Sequence, residues 1–327
     1  MAFLITLLLG FIPMLFFAFF LYSIDRYEKE PGILLGAVFV WGAIVAAGGA
    51  FIINTVLGLG VFIFTSSEAA TDLATGSLIA PLVEEVLKGL AVLIVFLIFR
   101  KEFDSILDGI IYAGVAALGF AASENTYYIY TYGYQQSGWE GILSMSFIRI
   151  ILVGWQHPFY TAFIGIGLAL NRMSKSLLVK IVAPIAGISL AVFTHSAHNS
   201  LASLLQGTAG LVFGTAIDWI GWFLMMCFIV WMILREKQTL KKYLFEEVQS
   251  GTITKTQFQA AISGWQQVSV IITALLSGKY KLTRRFYQLC GELAHKRRQL
   301  DKLGNEDGNI QMINTIRQEL GQISSIV

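Results

Sequence analysis

The stretch LATGSLIAPLVEEVLKGLAVLIVFLIF, residues 73 to 99, decides the fold class. It is long enough to cross the ~30 Å hydrocarbon core of a bilayer as a helix, which takes about 20 residues. Near its middle it carries two adjacent acids, Glu84 and Glu85, and one base, Lys88. An ionisable side chain at bilayer depth costs about 3 kcal/mol even on lenient insertion scales, so such residues face a protein interior or a wet cavity and mark a function. A lone anchor has no need of them, whereas a bundle of spans around a polar site does.

The rest of the chain supplies that bundle. Of 327 residues 56% are hydrophobic and 13% charged, with a mean hydropathy of +0.68, which excludes an ordinary soluble globule. Apolar stretches run from 3 to 22, 33 to 64, 74 to 99, 106 to 130, 142 to 170, 177 to 206 and 211 to 234. They predict an all-α polytopic membrane bundle of about seven transmembrane helices in residues 1–235. The second and sixth are overlong, which implies tilt, interfacial extension, or a break near Gly48-Gly49 and near Pro184. Met1 to Leu21 reads as a first span rather than a signal peptide, because its nearest basic residues, Arg26 and Lys29, follow the apolar run.

Residues 236–327 are the one extended polar region and predict a small basic helical cytoplasmic domain, with helices around 238 to 249, 255 to 276, 280 to 303 and 310 to 326 and a turn at Gly304-Asn305-Glu306-Asp307-Gly308. The apolar piece Val268 to Leu276 is too short to span and reads as a packed face. Basic residues alternate along the loops: Arg26 and Lys29, then none, Arg100 and Lys101, then none, Arg172 and Lys175, then none, then Arg235, Lys237, Lys241 and Lys242. The positive-inside rule places the N-terminus outside and the tail in the cytoplasm. Cys227 and Cys290 fall in the last span and in the tail, so no structural disulfide is expected. The partners implied so far are the lipid bilayer and, for the basic tail, anionic headgroups or simply solvent; no nucleic-acid partner is expected.

Further polar residues lie inside the spans: Glu124 and Asn125 in the fourth, His157 in the fifth, and His195, His198 and Asn199 in the sixth. Counting residues from the outer end of each span at ~1.5 Å per residue puts Glu84, Glu124, His157 and His195 roughly 9 to 22 Å deep, one layer in the outer half of the bilayer. Helical spacing lets Lys88 touch both Glu84 and Glu85, and sets His195 on one face with His198 and Asn199. Arg149 and Asp218 lie nearer to span ends and read as structural. Such a set can hydrolyse: a carboxylate deprotonates water, imidazoles or a metal stabilise an oxyanion, and a second acid protonates the leaving amine. The rival reading is a proton-coupled transporter or channel using the same Glu, His and Lys cluster as a relay; the absence of internal sequence symmetry counts against it.

Written as motifs, the chain reads Glu84-Glu85-x-x-Lys88, Phe120-x-x-x-Glu124, an isolated His157 and His195-x-x-x-Asn199, each on its own successive span. In this order, together with Asp25-Arg26-Tyr27-Glu28-Lys29-Glu30-Pro31 after the first span, residues 1 to 234 resemble the PrsW family of bacterial intramembrane metalloproteases, and more distantly the CAAX prenyl endopeptidase or Abi superfamily. The tail lies outside the resemblance. The CAAX enzymes have an arginine one residue after the position of Lys88, and a histidine in place of Glu124. The resemblance implies an intramembrane endopeptidase in the bacterial cell membrane, cutting a single-span substrate such as an anti-sigma factor near its extracytoplasmic side. It assigns catalysis to Glu84, Glu85, Glu124, His157, His195 and Asn199, supported by Lys88 and His198. Either Glu84 or Glu85 is expected as the general base, with the other glutamate (Glu85 where Glu84 is the base), Glu124, His157 and His195 forming the metal or oxyanion site, Zn2+ as the cofactor, and Asn199 orienting a histidine or the scissile carbonyl. A glutamate-activated water without metal is the other mechanism that the superfamily suggests.

Overall fold

The computed structural model describes residues 1–205, 207–305 and 308–327. The chain is all-α, with no strand among the described residues. Its helices are α1 (Ala2–Ile24), α2 (Gly32–Val40), α3 (Ala47–Thr65), α4 (Glu68–Ala74), α5 (Ala80–Ile98), α6 (Ile106–Tyr128), α7 (Gln135–Ser146), α8 (Gln156–Arg172), α9 (Leu177–Leu205), α10 (Gly207–Gln249), α11 (Lys255–Ala261), α12 (Gly264–Leu276), α13 (Tyr280–Leu303) and α14 (Asn309–Ser324). Short π-helical segments at Trp41–Ala46, Thr75–Ile79, Ile129–Tyr134 and Phe147–Leu152 interrupt the apolar part.

Five runs among the described residues are long and apolar enough to cross a membrane: Ala2–Ile24, Gly32–Thr65, Ile106–Arg172, Leu177–Leu205 and Gly207–Gln249. The expected count of about seven is approximate, for two physical reasons. Helix α5 matches the third span but carries three charges in its apolar run. The run Ile106–Arg172 folds back on itself: Ser137 and Gly138 leave the helical conformation, Gly138 with φ +62°. A Cβ on Gly141 would strike the carbonyl of Gly133, although in a straight helix two residues eight apart stand about 12 Å from each other. The overlong second span is unbroken at Gly48-Gly49; its irregularity is the π-helical turn Trp41–Ala46 just before them. In the sixth, α9 runs straight through Pro184.

By its internal contacts the chain forms two compact units, one of Met1–Ser23, Pro31–Arg172 and Ser176–Cys227, the other of Ile24–Glu30, Met173–Lys175 and Phe228–Val327. In the first, α6 is the central helix, started by a Ser105 and Asp108 capping box and buried on nearly all sides. Glycines make that possible, since a Cβ at Gly109 would meet the backbone of Gly165 on α8 and one at Gly119 the backbone of Phe39 on α2. Close backbone approach through small residues is the ordinary way helices pack in lipid.

The second unit packs Leu240, Leu244, Phe286, Leu289, Cys290, Leu293 and Leu320 around a fully buried centre. Two of the basic loops, Ile24–Glu30 and Met173–Lys175, belong to it together with the tail. Buried Glu247 accepts from Arg317 at 2.7 Å and Arg297 at 3.3 Å, and Glu28 meets His295 at 3.1 Å. Two tail helices differ from expectation. The first is the C-terminal end of α10, which continues from the last span without a break. The stretch 255 to 276 is two helices, because the Ser263 side chain accepts from the Gln266 N–H and starts α12 afresh. The predicted turn centred on Glu306 and Asp307 lies outside the described residues.

Candidate active site

Helix α5 places Glu84, Glu85 and Lys88 within one turn of each other, and all three are buried. Lys88 Nζ stands 2.5 Å from Glu85 Oε1, 3.9 Å from Glu84 Oε2 and 3.2 Å from His157 Nδ1. It also lies 4.5 Å over the Phe120 ring. Glu85 is saturated: its Oε1 accepts from Lys88 and from His195 Nδ1 at 3.0 Å, and its Oε2 accepts from the Thr161 hydroxyl at 2.7 Å. A fully buried carboxylate needs that many donors to offset its desolvation.

The other half of the cluster comes from α6, α8 and the π-helical segment before α8. His157 Nε2 is 2.8 Å from Glu124 Oε2, and the same oxygen pairs with the Arg149 guanidinium. Arg149 Nε donates to Asn125 Oδ1 at 2.9 Å, and its guanidinium lies 4.4 Å over the Tyr128 ring. The His157 and His195 rings are 5.2 Å apart. His195, held at Nδ1 by Glu85, turns Nε2 toward Glu84 Oε2 at 3.9 Å. The structure thus brings Glu84, Glu85, Glu124, His157 and His195 together from four helices.

Within this cluster Glu84, His157 and His195 each offer a ligand atom, and these atoms lie within 4.8 Å of one another. Glu84 Oε2 is buried and has no hydrogen-bond partner. A buried carboxylate oxygen ordinarily finds a donor or a cation, and two imidazoles with one carboxylate are the donor set of many catalytic zinc sites. The residues present therefore fit a divalent metal. Glu85 stands on Nδ1 of His195 and Glu124 on Nε2 of His157, as carboxylates that orient metal-bound histidines do, and the other nitrogen of His157, Nδ1, has Lys88 Nζ beside it at 3.2 Å.

The remaining expected residues lie close by with different partners. Asn199 donates to the Gly76 carbonyl at 2.8 Å, which ties α9 to the π-helical turn ahead of α5 rather than to a histidine. His198 Nδ1 is 2.8 Å from Asp218 Oδ2. Asp218 is almost fully buried and also accepts from the Tyr160 hydroxyl at 2.7 Å, while the Tyr160 ring stacks on His195 at 4.9 Å. Arg149 and Asp218, read from sequence as structural residues near span ends, therefore touch the cluster directly or through one side chain. The energetic argument that singled out Glu84 applies to both, since each is a charge inside an apolar run. Tyr160 and Thr161 carried no such signal.

The family model described as PrsW family intramembrane metalloprotease matches residues 30–234. The chain belongs to the PrsW family. The matched region contains every residue of the cluster and stops before the tail. Protease PrsW of Clostridioides difficile (strain 630) is 41% identical over 125 residues, covering 38% of this chain and 50% of that protein. Protease PrsW of Geobacillus kaustophilus (strain HTA426) is 29% identical over 127 residues, covering 39% of this chain and 53% of that protein. The chain spans about half the length of these curated relatives. No solved structure matches it. Membership makes the chain a multi-pass membrane protein of a metalloprotease family, in agreement with its apolar helices.

Proposed function

We propose that the chain is an intramembrane endopeptidase in which Glu84, His157 and His195 hold the catalytic metal, zinc by its donor set. The observation that carries this reading is the buried trio around a Glu84 oxygen that accepts no hydrogen bond. On this reading Glu85 and Glu124, expected from sequence among the ligands, act as orienting carboxylates. When bound, zinc supplies Lewis acidity that polarises the scissile carbonyl.

The chain's own residues do the rest. Glu85, anchored by Lys88 and Thr161, holds the Nδ1–H of His195 and so leaves Nε2 facing Glu84. Glu124 holds Nε2 of His157, so that this ring offers a metal its Nδ1 once Lys88 turns aside, and with its side chain 19% exposed Glu124 is the carboxylate of the cluster open enough to take a proton from water and pass it to the leaving amine. Arg149 keeps Glu124 in place. Glu84 Oε2 is also positioned to accept a water proton with no metal, and metal content separates the two mechanisms.

The substrate class that fits is a single-span membrane protein, an anti-sigma factor being the example drawn from the family resemblance. The grouping of two basic loops with the tail supports putting them on one side, and the positive-inside rule makes that side cytoplasmic, with the N-terminus outside and cleavage in the extracytoplasmic half of a bacterial plasma membrane. Co-expression of a tagged single-span substrate with wild type, Glu84→Gln and His195→Ala tests the proposal. Cleavage by wild type alone supports it. Products that persist in both variants rule it out, and solute-dependent proton flux in place of cleavage favours the transporter.

A further inference from the structure

Helix α12, outside the family match, has no charged residue in its thirteen positions, GWQQVSVIITALL. Gln267 and Ala274 are buried, and Val270 packs against the unit's core. The opposite side is also apolar. Trp265, Val268, Ile272, Leu275 and Leu276 are all exposed, Trp265 at 83% and Leu276 at 85%. At about 100° per residue these five fall within an arc of about 100°, and Gln267, Val270 and Ala274 occupy the facing arc. The packed face expected for Val268 to Leu276 is thus only one side of the helix, and the other carries a contiguous apolar stripe of the kind that marks an interaction surface.

Two further observations identify what covers it. The residues that follow are basic: Lys279, Lys281 and Arg284 are exposed within eight positions of the helix end, and residues 235 to 327 hold 14 Lys or Arg against 8 Asp or Glu. The unit is also tethered to the bilayer by its own chain, because its longest segment starts at Phe228 inside α10, whose N-terminal part is an apolar span. A surface that offers apolar depth beneath negative charge, and that is always within reach, is an anionic phospholipid leaflet. Trp and Leu on one face beside Lys and Arg are the composition of helices that lie in the headgroup boundary, and tethering raises the effective concentration of so weak a contact.

We propose that α12 is an interfacial helix that lays Trp265, Val268, Ile272, Leu275 and Leu276 into the headgroup and acyl boundary of an anionic bilayer. Full-length protein in nanodiscs of phosphatidylcholine and phosphatidylglycerol tests this. The fluorescence of Trp265 is taken as the difference between wild type and Trp265→Phe. With lipids brominated near the headgroup end of the chain, the Trp265 component falls by about half, and aqueous acrylamide barely reaches it. Omitting phosphatidylglycerol weakens the lipid quenching; equal quenching without it overturns the role of charge. The exposed-face variant Ile272→Glu with Leu276→Glu reverses the pattern while Cys290, fully buried in the core, stays closed to maleimide. A wild-type Trp265 open to acrylamide and blind to bromolipid overturns the proposal in favour of a solvated helix. Shielding from both quenchers overturns it in favour of a protein partner or a second copy of the chain.

Discussion

Lys88 sits at the electrostatic centre of the site, within 4 Å of both glutamates of α5 and of a ring nitrogen of His157. Removing it leaves the fully buried Glu85 carboxylate with Thr161 and His195 as donors but without its cation. Lys88→Met is expected to destabilise the protein by about 3–5 kcal/mol, the cost of breaking a buried pair from one side, read by equilibrium unfolding in detergent micelles. Glu85→Gln keeps the shape but weakens the acceptor for His195 Nδ1. Metal affinity is expected to fall about 10–100-fold, as for other carboxylates behind a ligating histidine, measured by competition with a chromogenic chelator. At this scale the sequence was most legible where burial is most costly. Glu84, Glu85, Glu124 and the histidines stood out because a charge or imidazole in an apolar run demands a partner. The proposed distinction between ligands and orienting carboxylates was not legible. It depends on which oxygen of which acid faces which ring nitrogen, and helical spacing along one chain segment does not encode that.

The elements bring these residues together through glycine. Helices α6 and α8 touch at Gly109 and Gly165, where a Cβ on either would collide with the backbone of the other. Gly165→Ala is therefore expected to cost about 1–3 kcal/mol through overpacking and to draw His157 on α8 away from Glu124 on α6. Lower thermal stability together with reduced metal content checks both effects. Of the glycines along these spans, Gly114, Gly119, Gly165 and Gly167 stand at close approaches, whereas a Cβ at Gly76 would meet nothing within 4 Å. Small size alone does not say which face of a helix is crowded. The π-helical turns were illegible for a similar reason. Three of them, Thr75–Ile79, Ile129–Tyr134 and Phe147–Leu152, flank the site, as π-helical turns at functional sites often do. No local pattern in the residues marks them.

Across the whole molecule, hydropathy and charge alternation made the membrane spans and the polar tail legible, but not the way the chain divides. The second unit takes in Ile24–Glu30 and Met173–Lys175, and only tertiary contact reveals that, as when a Cβ on Gly291 would run into the Tyr27 carbonyl. Cys290 reports on this unit, since burial excludes it from solvent and pushes its thiol up from the ordinary range. With Cys227 replaced by Ser, a membrane-impermeant maleimide is expected to leave Cys290 unlabelled at neutral pH until denaturant opens the unit; labelling at the native rate of a free thiol would contradict the packing. The family, the buried cluster and the apolar helices meet in one claim, that three side chains from α5, α8 and α9 hold a metal inside a membrane bundle. Elemental analysis of purified wild type beside Glu84→Gln, His157→Ala and His195→Ala tests it most directly. The account predicts about one metal ion per chain in wild type and a small fraction of that in each variant. A wild type that cleaves its substrate without bound metal, or variants that retain the full complement, would contradict it.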